Sequence, residues 1–575
     1  MLSVIVILLG IILYAIAYWG YVKWFAKNVI MSDPKRETPA HTYMDGVEFF
    51  PSNKYVLFGF QWKSIAALGP VTGPIIALQW GWLPGLLWIL FGTIFIGWIH
   101  DYGSLIVSSR HEGASFGPIT YELISPRART ILLWYILWYV ILILSSFCNI
   151  VARQVFPTYP VSPVPVLIVA IVGILVGYAT YKLKVNIVYT TIIAVIIMFL
   201  GIWAGIALPY TAPLAPVPTV GAVPPFPNAM DFWIFITLLF CFLGAVLPIW
   251  VFIQPINYLS FYLVYAGVIG LIIGAFVGQP TFERSMMTGF FTATGTGQPL
   301  WPMLFVTIAC GAISGWHSLI GSSVTSKQLD TEPDAHFIGG GAMLAEGILA
   351  LVSLTAVAAF SDATLLTKLP ATVTAPTAAD KFVGGGSGLL EYLGIPLNVG
   401  NALTAVMLII LAITIMHIGL RITRLVLSDL AGPRFGGAFK NKYASAIIVC
   451  IVVYVLTSPH TGAPFQYIWG TFGGANQLMA GLALMIVSLW LTREKRPTVY
   501  TVIPMLFMLV TTLSALTYLT YDGIWGPKGY LATSVIGTLF AACVNVFLLI
   551  LGLFMCYEGA KAFKRLRAKP EKTTA

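Results

Sequence analysis

Long, uninterrupted apolar runs constrain this chain more than any other feature of its sequence. A helix needs about 20 predominantly apolar residues to cross the hydrocarbon core of a bilayer, and runs of that length succeed one another along most of the chain. Of the 575 residues, 58% are hydrophobic and only 9% are charged, whereas soluble domains carry about 25% charged residues. The sequence therefore predicts an all-α, multi-pass membrane protein with no room for a folded soluble domain.

Charged residues, Pro and Gly bound these runs and predict about 15 transmembrane helices. The predicted spans are 2–24, 55–79, 82–109, 130–155, 163–183, 185–208, 231–253, 258–279, 301–327, 340–360, 400–426, 443–458, 466–492, 498–520 and 531–558. Two connecting segments are long, the Pro-rich 207–227 and the Thr-, Ala- and Gly-rich 361–394. We expect both to form extended external loops.

The distribution of Lys and Arg predicts the orientation of the chain, because positive charge is retained in cytoplasmic loops. Most basic residues follow odd-numbered spans, and the even-numbered connections hold only Arg153, Arg284, Lys368, Lys381 and Lys528. We therefore expect an external N-terminus and a cytoplasmic C-terminus that ends in a basic tail. The net charge of +10 is spread beside the spans, which suits anionic lipid headgroups and argues against nucleic acid.

The six cysteines lie in or beside apolar runs and show no metal-ligand spacing. They are expected to behave as small hydrophobic residues. The sequence thus predicts neither a metal site nor a cofactor, and it leaves the oligomeric state open.

Two predicted spans carry signals that interrupt a helix. Span 55–79 contains Gly69-Pro70-Val71-Thr72-Gly73-Pro74, and span 301–327 contains Cys310-Gly311-Ala312-Ile313-Ser314-Gly315-Trp316-His317. Broken backbone is tolerated in a bilayer where it lines a cavity or is buried in protein, and paired broken helices of opposite direction indicate inverted repeats around a substrate site. The alternative is that the small residues serve only helix packing. The candidate substrate-binding residues are Gly69, Pro70, Thr72, Gly73, Ser314, Gly315 and His317.

Ionisable side chains inside the predicted spans are rare and costly, and they therefore mark functional positions. At 1.5 Å rise per residue, Lys63, Asp101, Glu346 and His417 lie at similar depths, about 10 to 13 Å from the cytoplasmic ends of their spans. We expect Lys63 to pair with Asp101, because an unpaired buried charge is unfavourable. These four residues and Arg421 form the predicted ion-coupling site. His100, next to Asp101, is equally well explained as a hydrogen-bonded core residue.

Several segments, in order along most of the chain, resemble the carbon starvation protein A (CstA) family of pyruvate and peptide transporters. They are Pro51-Ser52-Asn53-Lys54-Tyr55-Val56-Leu57-Phe58-Gly59, the stretch from Ile65 to Gln79, the Asp101 region ending in Ser109-Arg110, the stretch from Ile308 to His317, Gly341-Ala342-Met343-Leu344 with Glu346, and Gly474-Ala475-Asn476-Gln477-Leu478. The resemblance implies a LeuT-like fold of the amino acid, polyamine and organocation superfamily, with a five-plus-five inverted repeat and extra helices. It also adds Gln79 to the candidate substrate-binding residues.

With this fold, the chain divides into an N-terminal helix and cytoplasmic loop, a first repeat, an inserted helix pair, a second repeat, and C-terminal helices with the basic tail. The corresponding residues are 1–54, 55–208, 209–300, 301–492 and 493–575. The chain departs from the family's pattern at Phe60-Gln61, Lys63, Asn257 and His417.

The resemblance implies a secondary active transporter of the plasma membrane that imports a pyruvate-like monocarboxylate or a short peptide, in a family often linked to starvation. Because Lys63 would occupy the place where related transporters hold sodium, H+ is favoured over Na+ as the coupling ion. The alternatives are a peptide-specific transporter and a membrane nutrient sensor that signals to a partner. No nucleophile–base constellation and no Walker-type sequence is present, so neither an enzyme nor an ATP-driven pump is predicted.

Overall fold

The computed structural model describes residues 2–211, 229–292, 297–360, 373–458, 460 and 468–568. Within these ranges the chain is helical, with three isolated β-bridges and no longer strand pairing. Twelve of the helices are long and apolar enough to cross a bilayer. The predicted all-α, multi-pass class is therefore confirmed.

Nineteen helices are labelled here in chain order, leaving out isolated turns of three or four residues. The first ten are α1 (Ser3–Ile30), α2 (Lys54–Ile65), α3 (Gly69–Ala77), α4 (Trp82–Ser109), α5 (Phe116–Leu123), α6 (Pro126–Thr158), α7 (Pro163–Tyr181), α8 (Ile187–Ala207), α9 (Ala229–Val246) and α10 (Ile253–Gly278). The other nine are α11 (Leu300–Thr307), α12 (Gly315–Ser323), α13 (Glu332–Ala358), α14 (Ala375–Glu391), α15 (Leu397–Phe435), α16 (Lys442–Thr457), α17 (Trp469–Arg493), α18 (Val499–Trp525) and α19 (Ile536–Ala568).

Each predicted span coincides with one of these helices or with a pair of them. The twelve long helices account for all but three predicted spans. Two of those three are broken helices, α2 with α3 and α11 with α12, and the third is α16, which has 16 residues. The count of about 15 spans stays a prediction, while both broken helices that an inverted repeat requires are present.

The expectation of an extended loop at 361–394 is wrong for its second half, which forms α14. Thr374 caps this helix through its side chain, and Phe382, Val383 and Leu389 are fully buried. Its glycines serve close packing: a Cβ atom at Gly385 would lie 2.4 Å from the carbonyl oxygen of Ala356 on α13. Residues 361–372, and 212–227 of the Pro-rich segment, lie outside the described residues.

Burial separates the central helices from those that face lipid. In the most apolar stretch of each helix, all residues of α17 and 94% of those of α15 are buried inside the protein, against 28% for α8 and 33% for α7. Apolar residues on α7 and α8 that are exposed in the protein suit contact with acyl chains. The broken helices α2–α3 and α11–α12 pack among the central helices, where non-helical backbone is shielded from lipid.

Candidate functional site

The first helix break lies three residues before the position that the sequence predicts. Helix α2 ends at Ile65, Ala66 has ψ 105°, and α3 begins at Gly69. The Gly69–Pro74 segment, predicted to be the break, instead forms the first turns of α3. Pro70 is compatible with a first turn, because an N–H there would have no intrahelical acceptor. The prediction of a discontinuity is confirmed, and its placement within Gly69–Pro74 is wrong.

The second break lies where the sequence places it. Helix α11 ends at Thr307 and α12 begins at Gly315, with Ser314 in an extended conformation. His317 lies inside the first turn of α12 and is fully buried. Neither α3 nor α12 has a side chain from its own N-cap residue bonded to its first turn.

The two breaks contact each other directly through glycines. A Cβ atom at Gly69 would lie 2.6 Å from the Cys310 sulfur, and one at Gly73 would lie 2.6 Å from the carbonyl oxygen of Thr307. Both distances are too short for any larger residue. These glycines therefore allow α3 to pack directly against the non-helical segment between α11 and α12. The closest packing of the two broken helices thus occurs at their breaks.

Helix α17 supplies side chains to both sides of the second break. Asn476 accepts hydrogen bonds through Oδ1 from the Ser314 hydroxyl (3.0 Å), the Trp316 amide (3.2 Å) and the Tyr139 hydroxyl (2.5 Å). Its neighbour Gln477 donates to the carbonyl oxygen of Phe305 (2.7 Å), near the end of α11. A carboxamide accepts and donates, so this adjacent pair satisfies an amide at the start of α12 and a carbonyl near the end of α11.

A chain of buried titratable side chains is centred on His317, in the first turn of α12. His317 Nδ1 lies 2.8 Å from Asp101 Oδ2, and its Nε2 lies 3.1 Å from Glu346 Oε2. The second contact is an ion-pair distance without the alignment of a hydrogen bond. His100 Nδ1 lies 2.7 Å from the other oxygen of Asp101. All four side chains are at most 1% exposed, and His317 is the member that touches both carboxylates.

Lys63 does not pair with Asp101, so the predicted ion pair is wrong. Its Nζ donates to the Thr414 hydroxyl at 2.6 Å and links α2 to α15. Asp101 is occupied by two histidines, and Glu346 is the carboxylate that acts electrostatically on Lys63. Depth along a helix contains no information about the direction in which each side chain points.

His417 and Arg421, on successive turns of α15, have different surroundings. His417 Nε2 lies 3.0 Å from Asn257 Oδ1, and the Asn257 amide donates to the hydroxyl of Ser64, next to Lys63. Arg421 instead donates to the carbonyl oxygen of Leu247 (3.0 Å), just beyond the end of α9. A cation at a helix C-terminus is a common stabilising contact, so the structure does not place Arg421 in the carboxylate cluster.

A cavity of about 650 Å³, here called the vestibule, lies on the other side of the breaks. Its wall includes Ile76 and Gln79 beyond the first break and Thr307 just before the second. Gln79 is the predicted substrate-binding residue that lines it, and the others are buried at the two breaks. Four further wall residues carry a buried oxygen that has no hydrogen-bond partner among the described residues: Ser146, Asn149, Thr471 and Asn545.

The vestibule opens at the end of the molecule that carries Arg153 and Lys528, both of which line it. The charge distribution predicts this end to be external. Within the described ranges, no group of three or more His, Cys, Asp or Glu side chains is positioned to hold a metal ion.

The opposite end is closed by a strap, defined as residues 327–334 between α12 and the first turn of α13. Ion pairs connect it to the loop before α2, to the first residue of α2 and to the end of α4: Lys327–Glu48 (2.8 Å), Glu332–Arg36 (3.1 Å), Asp334–Lys54 (3.7 Å) and Glu332–Arg110. The imidazole of His41 also contacts the Asp330 carboxylate at 2.9 Å. Glu332 is 1% exposed and serves two arginines. This end of the molecule is the one predicted to be cytoplasmic.

Several contributors to the site were not among the predicted functional residues. Asn476 and Gln477 are the clearest, and a signal existed: two adjacent carboxamides interrupt a long apolar run, which is costly unless their hydrogen bonds are satisfied. Thr414 and Ser64 had no such signal, because isolated hydroxyl residues are common in membrane helices.

Comparison with known proteins gives a consistent group of relatives. The model of the family described as "Carbon starvation protein CstA" matches residues 2–382 and 368–515. "Peptide transporter CstA" of Escherichia coli is 30% identical over 578 residues, covering 89% of this chain and 80% of that protein. "Peptide transporter CstA" of Bacillus subtilis is 28% identical and covers 99% and 98%, respectively. "Pyruvate/proton symporter BtsT" of E. coli is 34% identical, but the match covers 61% of this chain and 48% of that protein.

Among solved structures, MhsT in complex with L-phenylalanine aligns with 88% of this chain and 99% of its own. The sequence identity is 14% and the TM-score is 0.47.

Proposed function

The chain belongs to the carbon starvation protein CstA family, and we propose that it is a secondary active transporter that imports a short peptide together with protons across the plasma membrane. The observation that carries this proposal is the arrangement around the two breaks. The vestibule, lined by both apolar and polar side chains, lies on one side of them, and a buried carboxylate–histidine chain lies on the other. Helix α12 contacts the end of α2 through Trp316, and its own first turn carries His317. Broken helices between an entrance cavity and buried charges are the usual setting of a transport site.

Proton coupling is supported by the charge balance of the cluster. Two carboxylates, Asp101 and Glu346, contact the His317 imidazole, and Glu346 also interacts electrostatically with the Lys63 ammonium group. With His317 and Lys63 protonated and His100 neutral, the formal charges cancel. One further proton leaves an unbalanced charge in a buried site, which is unfavourable. Binding or release of a proton therefore changes the stability of this closed arrangement.

Lys63 supports H+ over Na+ as the coupling ion. Its ammonium group holds α2 to α15 through Thr414, and both residues are fully buried. A fixed cation at this contact supplies positive charge that a bound sodium ion would otherwise provide. Proton transfer at the neighbouring carboxylates then remains as the variable charge.

The lining of the vestibule favours a peptide. Its 650 Å³ falls in the range of about 300–1,000 Å³ that is typical of pockets for drug-sized molecules. Carboxamides and hydroxyls, which accept and donate hydrogen bonds as peptide groups require, outnumber charged groups on its wall: Gln79, Ser146, Asn149, Gln154, Gln298, Thr471 and Asn545. Pyruvate, with six non-hydrogen atoms, would contact only a small part of this surface.

A pyruvate-like monocarboxylate is the second candidate. The basic residues Arg153 and Lys528 at the vestibule favour it, and Asp522 on the same wall offsets one of these positive charges. Both substrates carry a carboxylate, so electrostatic attraction alone does not separate them. The nutrient-sensor alternative requires no net transport and is separated from both by uptake measurements.

The test is uptake by purified protein in liposomes, driven in turn by a proton gradient, a sodium gradient and neither. We expect a proton gradient to accumulate labelled short peptides, and unlabelled peptide to compete better than pyruvate. Glu346→Gln should abolish accumulation but retain exchange of labelled for unlabelled substrate, because it fixes a neutral side chain next to His317. Ser353→Ala, on the same helix and with its hydroxyl bonded to Leu349, is the matched control. Accumulation driven by sodium alone would refute proton coupling, and an absence of any uptake would favour the sensor.

A further inference from the structure

One face of α4 follows α12 from the second break to its far end. Gly97, Asp101, Ser104 and Ser108 are spaced by four, three and four residues, so they share one side of the helix. A Cβ atom at Gly97 would lie 2.4 Å from the carbonyl oxygen of Ala312, before α12. Asp101 contacts His317 in the first turn of α12. Helix α12, which packs against this face of α4, therefore begins next to the buried carboxylate cluster.

The far end of the same face contacts hydroxyl residues. The Ser108 hydroxyl lies 2.8 Å from both the carbonyl oxygen of Ser322 and the hydroxyl of Ser326. It also lies 2.8 Å from the carbonyl oxygen of Ala114, in the loop where Glu112 and Ser115 are exposed. Seven residues separate Asp101 from Ser108, about 10 Å along the helix axis. The interface between α4 and α12 thus connects the buried cluster with the surface predicted to be cytoplasmic.

Two buried hydroxyls along this interface have no hydrogen-bond partner in the described part of the chain: Ser104 Oγ and Ser322 Oγ. Their side chains are 0% exposed. Ser104 lies between Asp101 and Ser108 on the face described above, and Ser322 lies on α12 where Ser108 approaches it. Leaving a buried hydroxyl unbonded is unfavourable, and ordered water is the usual partner of such groups.

We propose that this interface is the path by which the coupling proton passes between the Asp101–His317–Glu346 cluster and the cytoplasm. The inference rests on the proposed proton symport and adds to it the residues of the path. Ser104, Ser322 and Ser108 position water and relay the proton. Each hydroxyl accepts one proton from one side and gives one up on the other, so none changes its own charge. Lys63, His100 and Cys310 are the other titratable groups facing the cluster.

The test fills the path without touching the cluster. In liposomes containing a pH-sensitive dye, Ser104→Leu should slow proton-driven uptake and the accompanying acidification of the lumen by at least about tenfold. Exchange of labelled for unlabelled substrate, which needs no net proton movement, should stay within about twofold of the unmodified protein. Ser353→Ala is again the control, because its buried hydroxyl is bonded within α13, away from this interface.

If Ser104→Leu does not fold, the double variant Ser104→Ala, Ser322→Ala provides the same test. It removes both unpaired hydroxyls with little change of side-chain volume. We expect slower proton-driven uptake from this variant also, with exchange retained. Unchanged proton-driven uptake in either folded variant would overturn the inference. If the unmodified protein exchanges substrate but never responds to a proton gradient, the proposed symport fails instead, so the two failures are distinguishable.

Discussion

Asn476 is the residue whose removal tests the structure of the second break most directly. Its Oδ1 accepts from Ser314, Trp316 and Tyr139, and Asn476→Leu removes that acceptor while it keeps the number and branching of the non-hydrogen atoms of the side chain. Hydrogen bonds between membrane helices average about 0.6 kcal/mol and reach about 1.7 kcal/mol. The three bonds to Oδ1 alone predict a decrease of about 2–5 kcal/mol in the free energy of unfolding, and the amide loses its weaker contact with the Cys310 sulfur as well. Transport should be lost as well, because Ser314 and the start of α12 lose their fixed partner.

The assay is denaturant-dependent unfolding of the purified protein in mixed micelles, followed by tryptophan fluorescence. Thr471→Val is the matched control: it lies on α17, is 1% exposed, and its hydroxyl has no partner in the described ranges. Removing such a hydroxyl should leave stability nearly unchanged or slightly increased. A loss below about 1 kcal/mol for Asn476→Leu, or one equal to that of Thr471→Val, would refute the assignment of Asn476 as the residue that holds the break.

Three further predictions concern the charges. Lys63→Ala should destabilise the protein more than Thr414→Val, because it removes a buried cation near Glu346 as well as the hydrogen bond to Thr414. Thr414→Val should cost about 1 kcal/mol, and equal losses in thermal unfolding would contradict this order. Glu332→Gln should increase hydrogen–deuterium exchange of the strap, because its two arginine partners lose a common carboxylate; unchanged exchange would mean that the ion pairs do not hold the strap. A cysteine at Lys528, in a cysteine-free background, should react with impermeant maleimide from outside intact cells, and protection there would invert the predicted orientation.

Most of the helices were predictable because the length of an apolar run is a local property of the chain. Helix α14 was not, since its apolar residues contact protein and its composition of Thr, Ala and Gly is typical of a loop. The first break was predicted but misplaced for a related reason. Pro70 starts α3, whereas the residues that leave the helix, Ala66 to Leu68, carry no local signal for a break.

The members of the buried cluster were predictable from their cost in an apolar environment, but their pairing was not. Asp101, Glu346 and His317 come from three helices that are distant in sequence. Which of them meet depends on the rotation of each helix about its axis, which packing of the small residues determines. The predicted pairing of Lys63 with Asp101 was wrong because the hydrogen-bond partner of Lys63 is a neutral hydroxyl, Thr414. A search for opposite charges at similar depth does not consider neutral partners.

The first turn of α12 gives a physical reason for expecting substrate movement and proton movement to be coupled. Ser314, at its start, is held by Asn476, and His317, three residues later, lies between two carboxylates. A helical turn is stiff, so a rotation that displaces Ser314 from Asn476 also moves His317 relative to Asp101 and Glu346. Protonation of either carboxylate weakens the attraction that holds His317, and so lowers the cost of the same rotation. One rotation of the first turn of α12 therefore changes both the second break and the charged cluster. This rotation would couple substrate movement to the proposed proton path without a further structural link.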